Sequence, residues 1–406
     1  MGLTDQKCAW VSSVIEPQPH LQSLSLCNNV IGYTGLRRLV AALSRSQCSL
    51  LVLDLSGNML RSQGVQVLAE YLAVHGRHLE CLDLSSNEIT LAGAQELARV
   101  LRPEFGVSLK NLNLDMNRFE VSGCEELGQM LSVNKTLETL TLSQNNIFNG
   151  GCRLLFDGLA SNSNLRVLDI GGNFITHVGV RSIRDYLLAR DGSQMGLRTL
   201  NLSTNPLGDE GVGVLCRGLQ SDCRLANLVI DNVDVTDRGA RVIRQLLEFE
   251  SASLLTISLR HNAQLSHIGF AELALGCKRN RNVLRLIADP QFVGWDVVWT
   301  KVEMALIRNT VYAIDRCTVP LLMVARGRIL LHSYTHGAGT WLPVELRRMI
   351  LNNLDRYQVL TPEQRTQALK IACNPSRSFG TRLELLEAVT GNDYPSIVET
   401  MQVINP

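Results

Sequence analysis

Nine times along the chain a leucine opens the pattern L-x-x-L-x-L-x-x-N, or a close copy of it, and recurrence on that scale constrains the fold more than any single motif. The openings are Leu21, Leu50, Leu79, Leu109, Leu137, Leu165, Leu197, Leu225 and Leu254, spaced by 29, 29, 30, 28, 28, 32, 28 and 29 residues. An asparagine closes the pattern in every unit except the eighth, where Val233 stands and Asn232, one position earlier, is the expected partial substitute. An asparagine side chain carries two amide donors and a carbonyl acceptor, so it can bond the backbone of a turn on both sides.

The second half of each unit is as regular as the first. A glycine follows the opening leucine by fourteen or fifteen residues, from Gly35 to Gly269, and apolar residues come after it in four-residue steps, such as Leu97 and Leu101 after Gly93. That spacing lays one apolar stripe along a helix. Thr90, Thr176, Thr236 and Ser266 stand where an N-cap hydroxyl would accept from the first free helix amides. The glycine is expected to mark a close approach of helix to strand, where a Cβ has no room. Each unit reads as a short strand, a turn and a helix of about three turns.

Counting from the opening leucine as zero, the leucines at offsets 0, 3 and 5 point into one core and the residues between them face outward. One unit buries about seven aliphatic side chains at roughly 1.5–3 kcal/mol each. Ordering its residues costs about 1.5 kcal/mol apiece. A lone unit therefore cannot fold, and neighbours must stack to share their apolar faces. Paired strands lie about 4.8 Å apart and packed helices about 8–10 Å apart, so the strands are expected on the inner side of an arc.

Units of this length, with LxxLxLxxN followed by an aliphatic residue four before the glycine, resemble the ribonuclease-inhibitor class of leucine-rich repeats over about residues 21 to 280. The resemblance implies an α/β fold: a leucine-rich repeat solenoid, or horseshoe, with a concave parallel sheet and outer helices. It also relates the chain to the repeat domains of Ran GTPase-activating proteins and NOD-like receptors. Residues 1–20 are expected to cap the first unit and 21–280 to hold the nine units. Residues 281–334 are expected to form a degenerate unit and C-terminal cap, 335–340 a linker, and 341–406 a small helical module. In the degenerate unit Val283, Leu286 and Ala288 keep the register, and Trp295, Val298, Trp299, Val302 and Leu306 form a heavier apolar stripe.

Composition narrows the partners. Basic residues number 39 and acidic residues 38, for a net charge of +1, and aromatics make up only 5%. Neither nucleic acid nor an anionic membrane would find a strong electrostatic drive or a stacking platform here. The first residues, MGLTDQKCAW, hold no signal-peptide core, and no later stretch reaches about 18 apolar residues. Eleven cysteines in such a chain read as reduced thiols, so a cytoplasmic or nuclear, non-secreted protein is expected. Cys48 and Cys223 share one slot of the repeat, and Cys124 and Cys152 another, which marks them as small core residues.

No P-loop, dinucleotide-binding glycine motif, nucleophile elbow, HExxH or CxxC occurs. His332 and His336 stand four apart without a third ligand and read as a surface pair. No catalytic residue, cofactor or metal site is expected, and the protein is read as a non-enzymatic scaffold. The candidate partner-binding surface is the concave face, through Asp54, Asp83, Asn113, Asp115, Thr141, Asp169, Asn201 and Asp231. No lysine or arginine enters its outward offsets until Arg260, with His261 and Arg285 after it. The face is expected to take a basic or polar protein surface, although LDLS is also a usual way to fill an exposed parallel strand.

Two family resemblances suggest narrower partners. A Ran-type small GTPase is implied by the repeat class, with Asn28 and Asn232 as rim candidates, yet the early units are regular and the tail YPSIVETMQVINP is not strongly acidic. LPVELRRMILNNL resembles the opening of an F-box, which would contact a Skp1-type adaptor of a ubiquitin ligase through Leu342, Pro343, Leu346, Ile350 and Leu354. Simple helical packing is the alternative for that segment.

Overall fold

The computed structural model describes residues 3–189, 196–221, 224–249, 253–280 and 282–289, together with Val302, Ala305, Leu306 and Asn309. The chain divides into two compact units, one comprising Met1–Leu273 with Leu286–Phe292, the other Ala274–Arg285 with Val293–Pro406. The F-box-like segment and the expected linker lie outside the described residues, as do the histidine pair, Cys223, Trp295 and Trp299.

After a short first helix, α1 (Cys8–Ile15), strand and helix alternate without a break. The strands are β1 (Ser23–Ser25), β2 (Val52–Asp54), β3 (Cys81–Asp83), β4 (Asn111–Asn113), β5 (Thr139–Thr141), β6 (Val167–Asp169), β7 (Thr199–Asn201), β8 (Asn227–Val229), β9 (Thr256–Ser258) and β10 (Arg285–Ile287). The helices between them are α2 (Tyr33–Ser46), α3 (Arg61–His75), α4 (Leu91–Val100), α5 (Glu120–Val133), α6 (Phe148–Leu159), α7 (His177–Leu188), α8 (Gly208–Leu219), α9 (Asp237–Leu247) and α10 (His267–Arg279). All ten strands form one sheet in sequence order, the α/β leucine-rich repeat solenoid of the horseshoe class.

Register follows the leucines. Each strand's central residue pairs with its counterpart one unit on, so that Leu53, Leu82, Leu112, Leu140, Leu168, Leu200, Leu228 and Ile257 form one row. These side chains are buried, as are the offset-0 and offset-5 leucines from the second unit on. Leu21, Leu24 and Leu26 are half-buried because β1 is the sheet's edge. In the second unit of the chain, Val302, Ala305 and Leu306 are buried, and Asn309 Nδ2 donates to the Val283 carbonyl at 2.7 Å.

The asparagine row is a ladder through the core. Asn87, fully buried, donates to the carbonyls of Leu55, Leu84 and Ser85 at 2.9, 3.1 and 2.9 Å, and its Oδ1 accepts from Leu60 N at 3.3 Å. Asn117, Asn173, Asn205 and Asn262 repeat the arrangement, each accepting from the backbone of the preceding unit. At the eighth unit the rung is missing. Val233 is fully buried, and Leu207 N turns to the Asn205 carbonyl at 2.7 Å instead. Asn232 does not substitute: it is exposed with φ 52°, in the turn and not under it.

The repeat glycines differ from expectation. They do not clear the strand. A Cβ on Gly64 would lie 2.8 Å from the Leu60 Cβ, and one on Gly211 would lie 2.9 Å from the Leu207 Cβ. The clash is with the buried aliphatic residue four positions back and with the start of the preceding helix, as at Gly179, where Asn149 Oδ1 would be 2.7 Å away. A different pair, Gly128 and Gly158, brings α5 and α6 into backbone contact, since a Cβ on Gly158 would meet the backbone of Gly128.

Three helix starts, those of α7, α9 and α10, are capped twice. Thr176, Thr236 and Ser266 accept from Val178, Arg238 and Ile268 N as expected, whereas Thr90 makes no such bond and pairs with the Ser62 hydroxyl at 2.9 Å. The stronger caps come from the preceding unit. Asn149 Oδ1 accepts from Thr176 N and Gly179 N, Asp209 Oδ1 from Thr236 N and Gly239 N, and Asp237 Oδ1 from Ser266 N and Gly269 N, all at 2.8–3.0 Å. A carboxylate at a helix N-terminus meets both free amides and the positive end of the dipole. Burial opposes ionisation of Asp237, but bonds from Ser266 and Gly269 and the nearby His267 outweigh it and hold the carboxyl below its ordinary value.

Candidate interaction surface on the sheet

Strand alternation decides which side chains face outward: with the central leucine buried, the residues either side of it emerge on the open face. In-register pairing then sets the last strand residues side by side in the order Ser25, Asp54, Asp83, Asn113, Thr141, Asp169 and Asn201. A second row, at offset 6, follows in the turn: Ser56, Ser85, Asp115, Ser143, Gly171, Ser203, Asp231 and Arg260. The structure thus brings together the polar residues singled out from the sequence.

The two rows bond to each other. Ser25 Oγ donates to Asp54 at 2.8 Å, and Ser56 donates to the same carboxylate through both N and Oγ. Ser85 treats Asp83 likewise, while Asn113 Nδ2 bonds its other oxygen at 2.8 Å. Thr141 Oγ1 donates to Asn113 at 2.7 Å, and Ser143 joins Asp115 through its N–H and Asp169 through its hydroxyl, each at 2.6 Å. Asn201 completes the row on Asp169 at 2.7 Å, and Asp231 Oδ1 accepts from Arg260 N at 2.8 Å.

The donors in this network are hydroxyls, amides and backbone N–H groups. They satisfy the carboxylates without neutralising them. Ion pairs among the described residues include Arg61 and Arg118 with Glu88 on the turns, Lys110 with Glu80 at a strand start, and Arg241 and Arg244 with Glu272 between α9 and α10, none of them made by Asp54, Asp83, Asp115 or Asp169. Electrostatics differ along the row. At Asp54, burial raises the carboxyl, but bonds from Ser56 and Ser25 more than offset it and leave it below the ordinary value. At Asp115, burial wins over bonds from Ser143 and Thr141, and the like charges of Asp169 and Asp83 push the same way, so its carboxyl is raised.

Arg260 and His261 come together at the far end, and Asp289 faces both, at 3.9 Å from Arg260 Nε and 3.4 Å from His261 Nδ1. That end is therefore not a bare basic patch, because Asp289 faces both side chains. Asn28 and Asn232, the rim candidates, occupy equivalent turn positions with φ 55° and 52°. Leu342, Pro343, Leu346, Ile350 and Leu354 lie outside the described residues.

Elsewhere the described residues hold no cluster of three or more His, Cys, Asp or Glu placed to bind a metal ion. None of their helices is long and apolar enough to cross a membrane. Cys124, Cys152 and Cys216 are buried, and burial pushes their thiols up, those of Cys124 and Cys216 to about 12, which removes them as nucleophiles. Sequence reading missed one exposed feature: the rings of Phe148 and Phe174 stack at 5.5 Å on neighbouring turns. Its signal was an aromatic at two turn positions where the other left-handed residues are charged, amide or glycine.

A leucine-rich repeat family model matches residues 18–40, 46–69, 75–98, 161–183 and 196–216. The chain is 38% identical over 89 residues to human NACHT, LRR and PYD domains-containing protein 2, covering 22% of this chain and 8% of that protein. It is 34% identical over 105 residues to the ribonuclease inhibitor of Mus musculus, covering 26% of this chain and 22% of the inhibitor. The matches thus span less than a quarter of either relative's length. Among solved structures, the leucine-rich repeat-containing protein LegL7 from Legionella pneumophila superposes with a TM-score of 0.47 at 16% identity, over 76% of this chain and 95% of that one.

Proposed function

Because the chain belongs to the leucine-rich repeat proteins, with repeats homologous to those of ribonuclease inhibitor and of NACHT- and LRR-containing proteins, we propose that it is a non-enzymatic scaffold whose open sheet face binds a basic partner protein. One observation carries the reading. Asp54, Asp83, Asp115 and Asp169 sit in a hydrogen-bonded row whose donors are neutral, so negative charge accumulates across several units on a pre-ordered surface. A rigid row of this kind steers a basic surface and needs little ordering on binding.

The test replaces Asp83, Asp115 and Asp169 together by Asn, which keeps an acceptor for the ladder and removes the charge. A matched change of Glu70, Glu96 and Glu125 to Gln on the helices is the control. Proteins recovered by affinity capture on the wild-type chain are expected to be lost from the sheet-face variant and retained by the control. Loss from the control alone would overturn the reading. Two narrower versions have their own assays. A Ran-type GTPase partner predicts accelerated GTP hydrolysis, and an adaptor role for 341–406 predicts co-purification with a Skp1-type adaptor that changing Leu346 and Ile350 to Asp abolishes.

A further inference from the structure

Phe148, the first residue of α6, and Phe174, in the turn after β6, present stacked rings on the surface, 5.5 Å between centroids and 19° between planes. They are 46% and 54% exposed. Both have left-handed backbones, φ 53° and 57°, a region that bulky residues seldom enter. Six other residues adopt this conformation at one or other of the same two positions of the repeat. There the chain places Arg61, Glu88, Glu120, Asn146, Gly208 and Asp234, all charged, amide or glycine. Single exposed apolar side chains need no explanation, but two aromatic rings held together, in solvent, on a backbone that favours other residues, do.

The acidic row on the same repeats says what they fit. Asp169 ends β6 five residues before Phe174, and Gly171 N in the same turn donates to it at 2.9 Å. Ser143, in the repeat between them, links Asp169 to Asp115 two repeats away. Five residues span at most about 18 Å of chain, within reach of a short peptide. An aromatic face is electronegative, and so is a carboxylate, so both ask for a cation. Between the two natural cations, a guanidinium is planar, stacks on rings and bonds carboxylates through two parallel N–H groups, whereas an ammonium does neither as well.

We infer that the Phe148–Phe174 stack and the Asp115–Asp169 pair form one anchoring site for an arginine-rich segment of a partner protein. One guanidinium stacks on the rings while its neighbours bond the carboxylates. The inference rests on the proposed basic partner and goes further by fixing where it anchors and by which residue type.

The experiment titrates the full chain against fluorescein-labelled octa-arginine and octa-lysine peptides by fluorescence anisotropy at low salt. The wild-type protein is expected to bind the arginine peptide about fivefold more tightly than the lysine peptide. Phe148→Leu with Phe174→Leu keeps the apolar area and removes the π faces, and that variant should bind both peptides alike. Asp115→Asn with Asp169→Asn should weaken both peptides together, by about tenfold. Thermal melts no lower than that of wild type establish that each variant is folded. Retention of the arginine preference by the leucine variant, or its absence from the wild type, overturns the anchoring site while leaving the acidic face standing. Unchanged binding of both peptides by the asparagine variant overturns the acidic-face reading itself.

Discussion

Removing one rung of the asparagine ladder tests whether the repeats are held as described. In Asn87→Ala the Leu60 amide loses the Oδ1 it donates to. A buried amide left without a partner costs about 1–3 kcal/mol. The three carbonyls that Asn87 serves fare better, because each keeps a second donor: Asn58 Nδ2 for Leu55, Asn117 Nδ2 for Leu84 and Gly57 N for Ser85. Their combined loss falls at the low end, and the variant should be destabilised by about 2–4 kcal/mol in all. Asn29→Ala is the comparison. Asn29 is half-buried at the first unit, bonded to Leu3 N and to the Leu26 and Cys27 carbonyls, and water can replace it there, so about 1 kcal/mol or less is expected. Urea unfolding followed by circular dichroism reads both. Equal midpoint shifts for the two variants, or an Asn87→Ala curve superimposed on wild type, would refute the reasoning.

Three further outcomes follow from the packing and the charges. Gly158→Ala drives a Cβ into the Gly128 backbone, so α5 and α6 must separate, at a cost of about 1–3 kcal/mol and a lower melting temperature; an unchanged melt would show that the helices do not touch there. Thr204 is a β-branched residue at φ 58°, and Thr204→Asn, which tolerates that region, should stabilise by about 0.5–1 kcal/mol in the same urea assay, with destabilisation as the contrary result. The carboxyl of Asp115 is raised on folding, so its penalty is full above the folded value and fades as the pH falls through it towards the unfolded one. Asp115→Asn should therefore melt higher than wild type at pH 7, with the advantage shrinking towards pH 4; Asp54 and Asp237, lowered on folding, stabilise above the unfolded value and lose that contribution as the pH falls through the folded one.

Much of the fold was legible because it depends on one unit at a time. The phase of Leu79, Leu82 and Leu84 tells which side is core, and Asn87 tells where the turn needs donors. What could not be read from one unit lies between units. Asn149, Asp209 and Asp237 look like ordinary polar residues in the first turn of a helix; only when the next unit is stacked does each carboxylate or amide prove to cap the neighbouring helix. The repeat glycines were misassigned for the same reason, since what Gly179 avoids is Asn149 of the preceding unit. On the sheet face, the aspartates were visible as a row, but Asp115 rising while Asp54 falls reflects burial and bonding that no spacing reveals. Asp289 against Arg260 and His261, and Phe148 against Phe174, are likewise pairs across units, brought together by the stacking alone.

The most direct test of the central claim is a hydrogen-exchange footprint of the full chain with a partner recovered by affinity capture. The account predicts slowed exchange in the turns that follow β3, β4, β5 and β6, where Ser85, Asp115, Ser143 and Gly171 line the acidic rows, and unchanged exchange along α3 to α5. Protection confined to those helices, with the turns exchanging as in the free protein, would contradict it.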